Sequence, residues 1–174
     1  MNIAERKKEK NISEYIIHMY QTEDLIRVYE FDMGQIREYV IKHIPAEAGE
    51  KEKISQWYED IMGKMKQERI EKKGHLKEVQ QYVDQLSVLM DDLKDSDDEF
   101  KKIYKISQPH IEETIQFSDG KIKQEVQACL NGIYGLLLAR MNGRQVPEEL
   151  MEGINAFGDV LSYLSYFYRN RFQM

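Results

Sequence analysis

One cysteine, three prolines and no long apolar run are what 174 residues offer where other protein classes are rich. A lone thiol, Cys129, can form neither an internal disulfide nor a multi-thiolate metal site. The segment Met1 to Asn11 is charged rather than apolar, so no signal peptide is expected and the expected address is the reducing cytoplasm. The longest apolar stretch, around Gly135 to Ala139, falls far short of the roughly 20 residues needed to span a bilayer. No membrane partner is therefore expected. Basic charge is in deficit too: 25 Lys and Arg face 31 Asp and Glu, for a net charge of −6 and a pI near 5.3. Such a surface repels polyanions, so nucleic acid is not an expected partner either.

Period-2 runs and β-branched clusters are also scarce, whereas apolar residues recur at spacings of three and four almost throughout. The spacing predicts an all-α fold, a single-domain bundle over residues 1–174 of about seven mostly antiparallel helices. No period of 20 to 50 residues repeats, which excludes a solenoid. A first helix is expected from Ile3 to Tyr29, with the stripe Ile12, Ile16, Met19, Tyr20 and Ile26. Asp32, followed three residues later by Gln35, predicts a capped second helix ending near His43. A third helix carries Ile54, Trp57, Tyr58, Ile61 and Met65 and should stop at Gly74. The fourth has the cleanest seam, Leu76, Val79, Val83, Leu86, Met90 and Leu93. A fifth begins near Phe100, capped by Asp97 or Asp98, and should be disturbed at Pro109. Asp119-Gly120 precedes a sixth ending at Asn142-Gly143, and Pro147 opens the last.

Polar groups inside apolar stripes are the informative residues. Glu23 and Arg27 fall on the buried face of the first helix, with Asp24 at its edge. They read either as an intrahelical i,i+4 pair or as a ligand-facing carboxylate and guanidinium. Glu125 and Arg140 share the apolar face of the sixth helix but stand too far apart to pair; Arg27 is one charge-compatible partner for Glu125. Glu68 lies on the face of Trp57 and Tyr58, or simply emerges into water at a helix end. His75 sits at a helix corner, as a cap or core hydrogen-bonder, or else as a metal ligand or catalytic group. Neither His18, His43, His75 nor His110 has Asp or Glu three residues before it, so the pattern of helical di-iron bundles is absent. Asp95 to Glu99 lacks the spacing of a calcium loop. No metal or cofactor is expected. Cys129 lies among apolar side chains, where a thiol is inert packing unless a distant histidine reaches it.

Ala128, Gly132, Gly135 and Ala139 form a stripe of small residues that predicts close helix approach. The last helix is apolar or aromatic over more than one face, with Tyr163, Tyr166 and Phe167 beside its main stripe. It reads as a central helix or a self-association surface.

The segments Asn11-Ile12-Ser13-Glu14-Tyr15, Gln21 through Arg27, Trp57-Tyr58, Gly74-His75-Leu76, and Glu125 through Cys129 to Leu138 span nearly the whole chain. On them the sequence resembles a family of small bacterial proteins known only as a domain of unknown function. The resemblance implies an all-helical domain and no activity. Two functional classes follow from the residues. The first is a noncatalytic protein acting as a homo-oligomer or on a protein partner. The second is a small-molecule-binding or enzymatic bundle in which Glu23, Asp24, Arg27, Glu68, His75, Glu125, Cys129 and Arg140 border a pocket walled by Trp57 and Tyr58. No nucleophile or acid–base pair can be specified, which favours the first.

Overall fold

The computed structural model describes residues 2–172; Met1, Gln173 and Met174, part of the expected 1–174 domain, lie outside the described residues. It is all-α. Among the described residues eight helices run in order: α1 (Ile3–Lys10), α2 (Ile12–Val28), α3 (Met33–Tyr39), α4 (Ala48–Gln67), α5 (Lys77–Ser96), α6 (Asp98–Phe117), α7 (Glu125–Met141) and α8 (Glu148–Phe172). A 3-10 turn, Ile41–His43, follows α3. No helix among the described residues is long and apolar enough to cross a membrane.

The additional helix comes from a break at Asn11. Its backbone is extended, its amide donates to Lys7 O, and its side chain accepts from Glu14 N–H, so one residue closes α1 and opens α2. An uninterrupted Ile3–Tyr29 helix is therefore corrected to two, because an asparagine that satisfies orphan groups on both sides stabilises the break. Asp32 caps α3 as expected, accepting from Gln35 N–H at 3.2 Å. The end of α4 lies at Gln67, well before Gly74. There Arg69 takes the left-handed conformation (φ 59°), and Ile70 N–H reaches back to Met65 O while Arg69 N–H reaches Lys66 O. Glu30 (φ 52°) ends α2 in the same manner, with Phe31 N–H donating to Ile26 O. Both are left-handed helix stops of the kind glycine usually supplies. The expected disturbance at Pro109 is also corrected: α6 continues through it. Pro109 and Lys105, whose carbonyl loses its partner, are both exposed, so water can satisfy the freed oxygen.

The α5 seam is buried at all six predicted positions. Around it α8 is the hub, packing on α2, α5, α6 and α7, which accounts for its apolar width. Phe100 meets Tyr163, and His110 meets Gly153. Ten residues forward in α6 thus match ten backward in α8, so the two are antiparallel. The α7–α8 pair is closer still: a Cβ on Gly132 would lie 2.5 and 2.7 Å from two Phe157 ring atoms. Gly132→Ala should destabilise the fold by about 1–3 kcal/mol through this overlap, and Phe157→Leu should relieve part of the loss in a urea-unfolding double-mutant cycle. Gly135, by contrast, has open space around its Cβ position, so the small-residue stripe serves close packing in its first half only.

Candidate functional site

The charged block of α2 meets the segment that joins α4 to α5. Leu76, at the start of α5, offers no capping side chain, which leaves the first-turn amides seeking acceptors. Glu23, 0% exposed, supplies one: its Oε2 accepts from Leu76 N–H at 2.8 Å, and its Oε1 pairs with His75 Nδ1 at 2.8 Å. Glu68 supplies another, accepting from Lys77 N–H at 2.8 Å rather than emerging free into water. The helix is thus capped from outside by two carboxylates, Glu23 from α2 and Glu68 from just beyond α4, whose charge also suits the positive end of the helix dipole.

Arg27 grips the other side of the same segment. Its Nη2 donates to Ile70 O (2.9 Å) and Gly74 O (2.5 Å), and its Nη1 to Asp24 Oδ1 (3.1 Å). The expected Glu23–Arg27 pair is not formed; each residue instead holds backbone groups of 70–77, Glu23 through an amide and Arg27 through carbonyls. Tyr134 of α7 extends the network, donating to Asp24 Oδ2 at 2.5 Å. Its phenol is held well above the ordinary range, by burial first and then by that hydrogen bond. The Tyr20 ring stacks on His75 with centroids 3.9 Å apart, and burial, only partly offset by a hydrogen bond from Gln127, pushes its phenol up to about 12. Five of the ten sequence candidates, Glu23, Asp24, Arg27, Glu68 and His75, therefore converge. They form a clasp in which each of the five side chains is bonded to at least one group of the protein itself.

The remaining candidates lie elsewhere. Glu125 pairs with Lys94 of α5 and accepts from Tyr104 OH at 2.5 Å, so neither Arg27 nor the clasp engages it. Burial pulls Lys94 down, but its bonds to Glu125 and Tyr104 outweigh that and raise it. Cys129 is fully buried, and burial followed by the nearby Glu125 charge raises its thiol far from the thiolate range. That favours inert packing. Arg140 is exposed. Trp57 and Tyr58 border a separate cleft with His18. His18 carried only a negative signal in the sequence, and nothing in its spacing announced that it would stack on Trp57 with centroids 5.8 Å apart. Of the three candidate interface aromatics, Tyr163 donates to Asp97 Oδ1 at 2.7 Å and packs on Phe100 and Phe167, which is itself half-buried. Only Tyr166, 65% exposed, projects outward. Among the described residues no group of three or more His, Cys, Asp or Glu could hold a metal.

Residues 1–173 match the family described as Domain of unknown function (DUF4924). The chain belongs to this family. No curated protein and no solved structure matches it. The match runs through both halves of the clasp and the whole of α8, so the DUF4924 domain takes in every feature described above.

Proposed function

We propose that this DUF4924 chain is a noncatalytic cytoplasmic protein, folded as one helical domain, that works by associating with a second copy of itself through the shared end of α6, α7 and α8. The observation that carries the reading is an apolar end left uncovered: Phe117, Leu138, Met141 and Leu150 are 78, 36, 57 and 59% exposed. Because α6 runs antiparallel to α8 and only residues 142–147 separate α7 from α8, these side chains belong to one end of the bundle. Residues 133–141 of α7 carry a single charge, Arg140, and none is fully buried. A helix apolar on all sides calls for cover on all sides.

Charge selects the occupant. Arg140 and Arg144 stand on the α7 side of this end and Glu148 and Glu149 on the α8 side, and no ion pair among the described residues engages them. Across a two-fold axis the arginines of each copy face the glutamates of the other, as an isologous contact requires. The noncatalytic part of the reading is supported by the clasp, where every candidate acid or base is engaged by protein partners. Replacing Met141 and Leu150 together by glutamate should weaken dimerisation at least tenfold by light scattering over a concentration series. Far-UV circular dichroism should stay unchanged, since both side chains are already exposed.

A further inference from the structure

A cleft opens where α1, residues 41–46 and the first half of α4 meet. Its outer chamber, about 300 Å³, is bordered by Arg6, Lys53 and Glu50. Its inner chamber, about 60 Å³, is closed by Ala4, His18, Trp57 and Tyr58. Asn2, Ile3, Ile44 and Ile54 line both, so the two adjoin. The outer chamber alone reaches the lower end of the roughly 300–1,000 Å³ typical of small-ligand sites.

Three features define what would fit. The inner walls are almost wholly apolar, and the Trp57 indole, stacked with His18, is part of them, which suits a ring or branched chain. The imidazole of His18 lines that chamber without a hydrogen bond to any described side chain or backbone group, which leaves a polar edge available to a ligand. At the mouth, Arg6 and Lys53 have no ion-pair partner among the described residues and outnumber the one acidic neighbour, Glu50. The start of α4 faces the same mouth through Pro45, Ala46 and Glu50, and Glu47 provides no side-chain cap there, so the positive end of a 20-residue helix adds to the attraction for an anion.

We propose that this cleft binds a small monocarboxylate with an aromatic or branched apolar body, the body against Trp57 and the carboxylate between Arg6 and Lys53. An amine of the same shape would meet two cations, and an inorganic anion would leave the inner chamber unfilled. The site does not depend on self-association: its residues lie on α1, α2, α4 and the 41–46 segment, and a monomer would bind equally well.

Trp57 is the only tryptophan, so its emission reports the inner chamber directly. Phenylacetate and 3-methylbutanoate should each change that emission saturably, at millimolar concentration or below. Phenylacetamide and phenethylamine should bind at least tenfold more weakly. The double variant Arg6→Gln, Lys53→Gln, altered only at exposed positions, should weaken phenylacetate at least tenfold while leaving circular dichroism and the response to phenylacetamide unchanged. No saturable response to either acid, equal binding of acid and amide, or full affinity in the double variant would each overturn the proposal.

Discussion

Glu23→Ala should unfold at a temperature roughly 6–12 °C below the parent chain. The carboxylate is completely buried and makes two charge-assisted contacts, to Leu76 N–H and His75. Its removal leaves the Leu76 amide without an acceptor in a dry junction and takes away the outside cap of α5. Losing a charge-assisted bond and stranding a buried donor together cost about 3 kcal/mol. For a chain of this size each kcal/mol corresponds to roughly 2–4 °C. His75→Ala should cost less, about 1–2 kcal/mol, because the Leu76 amide keeps its acceptor. The sign of the Glu23 effect separates two accounts of the same residue. A buried carboxylate kept for a ligand is a liability to the fold, and its removal is neutral or stabilising. A carboxylate that clasps 70–77 to α2 stabilises the fold, and its removal is costly. Thermal and urea unfolding of Glu23→Ala decide between them, and a loss under about 1 kcal/mol would reject the clasp.

The second large effect concerns His18 and acid. Burial, followed by the nearby Lys7 charge, lowers its imidazole to about 4 in the folded chain, against an ordinary value of 6.5. The unfolded chain therefore takes up a proton at a pH where the folded chain does not. Stability attributable to neutral His18 is fully present above about pH 6.5, falls as pH drops from there to about 4, and changes no further below. The shift corresponds to about 3 kcal/mol over that window. His18→Gln should unfold with a correspondingly shallower pH dependence between 6.5 and 4, and the difference between the two curves isolates this histidine from the carboxylates that titrate below it. A proton-NMR titration of the His18 ring giving an ordinary midpoint near 6.5 would contradict the account, since it would mean that water reaches the ring freely.

The places where sequence patterning reaches the correct structure share one property: the signal is periodic and local. The seam from Leu76 to Leu93, the Asp32 cap and the glycine stop at Gly143 all depend on residues within a few positions of one another. The end of α4 escaped because its left-handed stop is an arginine, so the glycine that marks such stops was absent. The break at Asn11 escaped because an asparagine between a charged segment and the first residue of an apolar stripe looks like a tolerated surface residue until its two caps are seen. At the clasp, helical periodicity correctly placed Glu23 and Arg27 on a buried face. Their backbone partners, on Ile70, Gly74 and Leu76, were invisible because such atoms leave no residue-type signature. Glu125 shows the related difficulty, since Lys94 is one of many lysines whose charge would serve. The cleft at Trp57 was hidden for a different reason: it arises from three segments that do not pack fully against each other, and unfilled space has no pattern.

Association through the α6–α8 end is the functional centre of this account, and the solution mass of the unmodified chain tests it most directly. Sedimentation equilibrium over a micromolar concentration series should give a species of twice the 20.7 kDa of one chain. A mass of one chain at every concentration would contradict it.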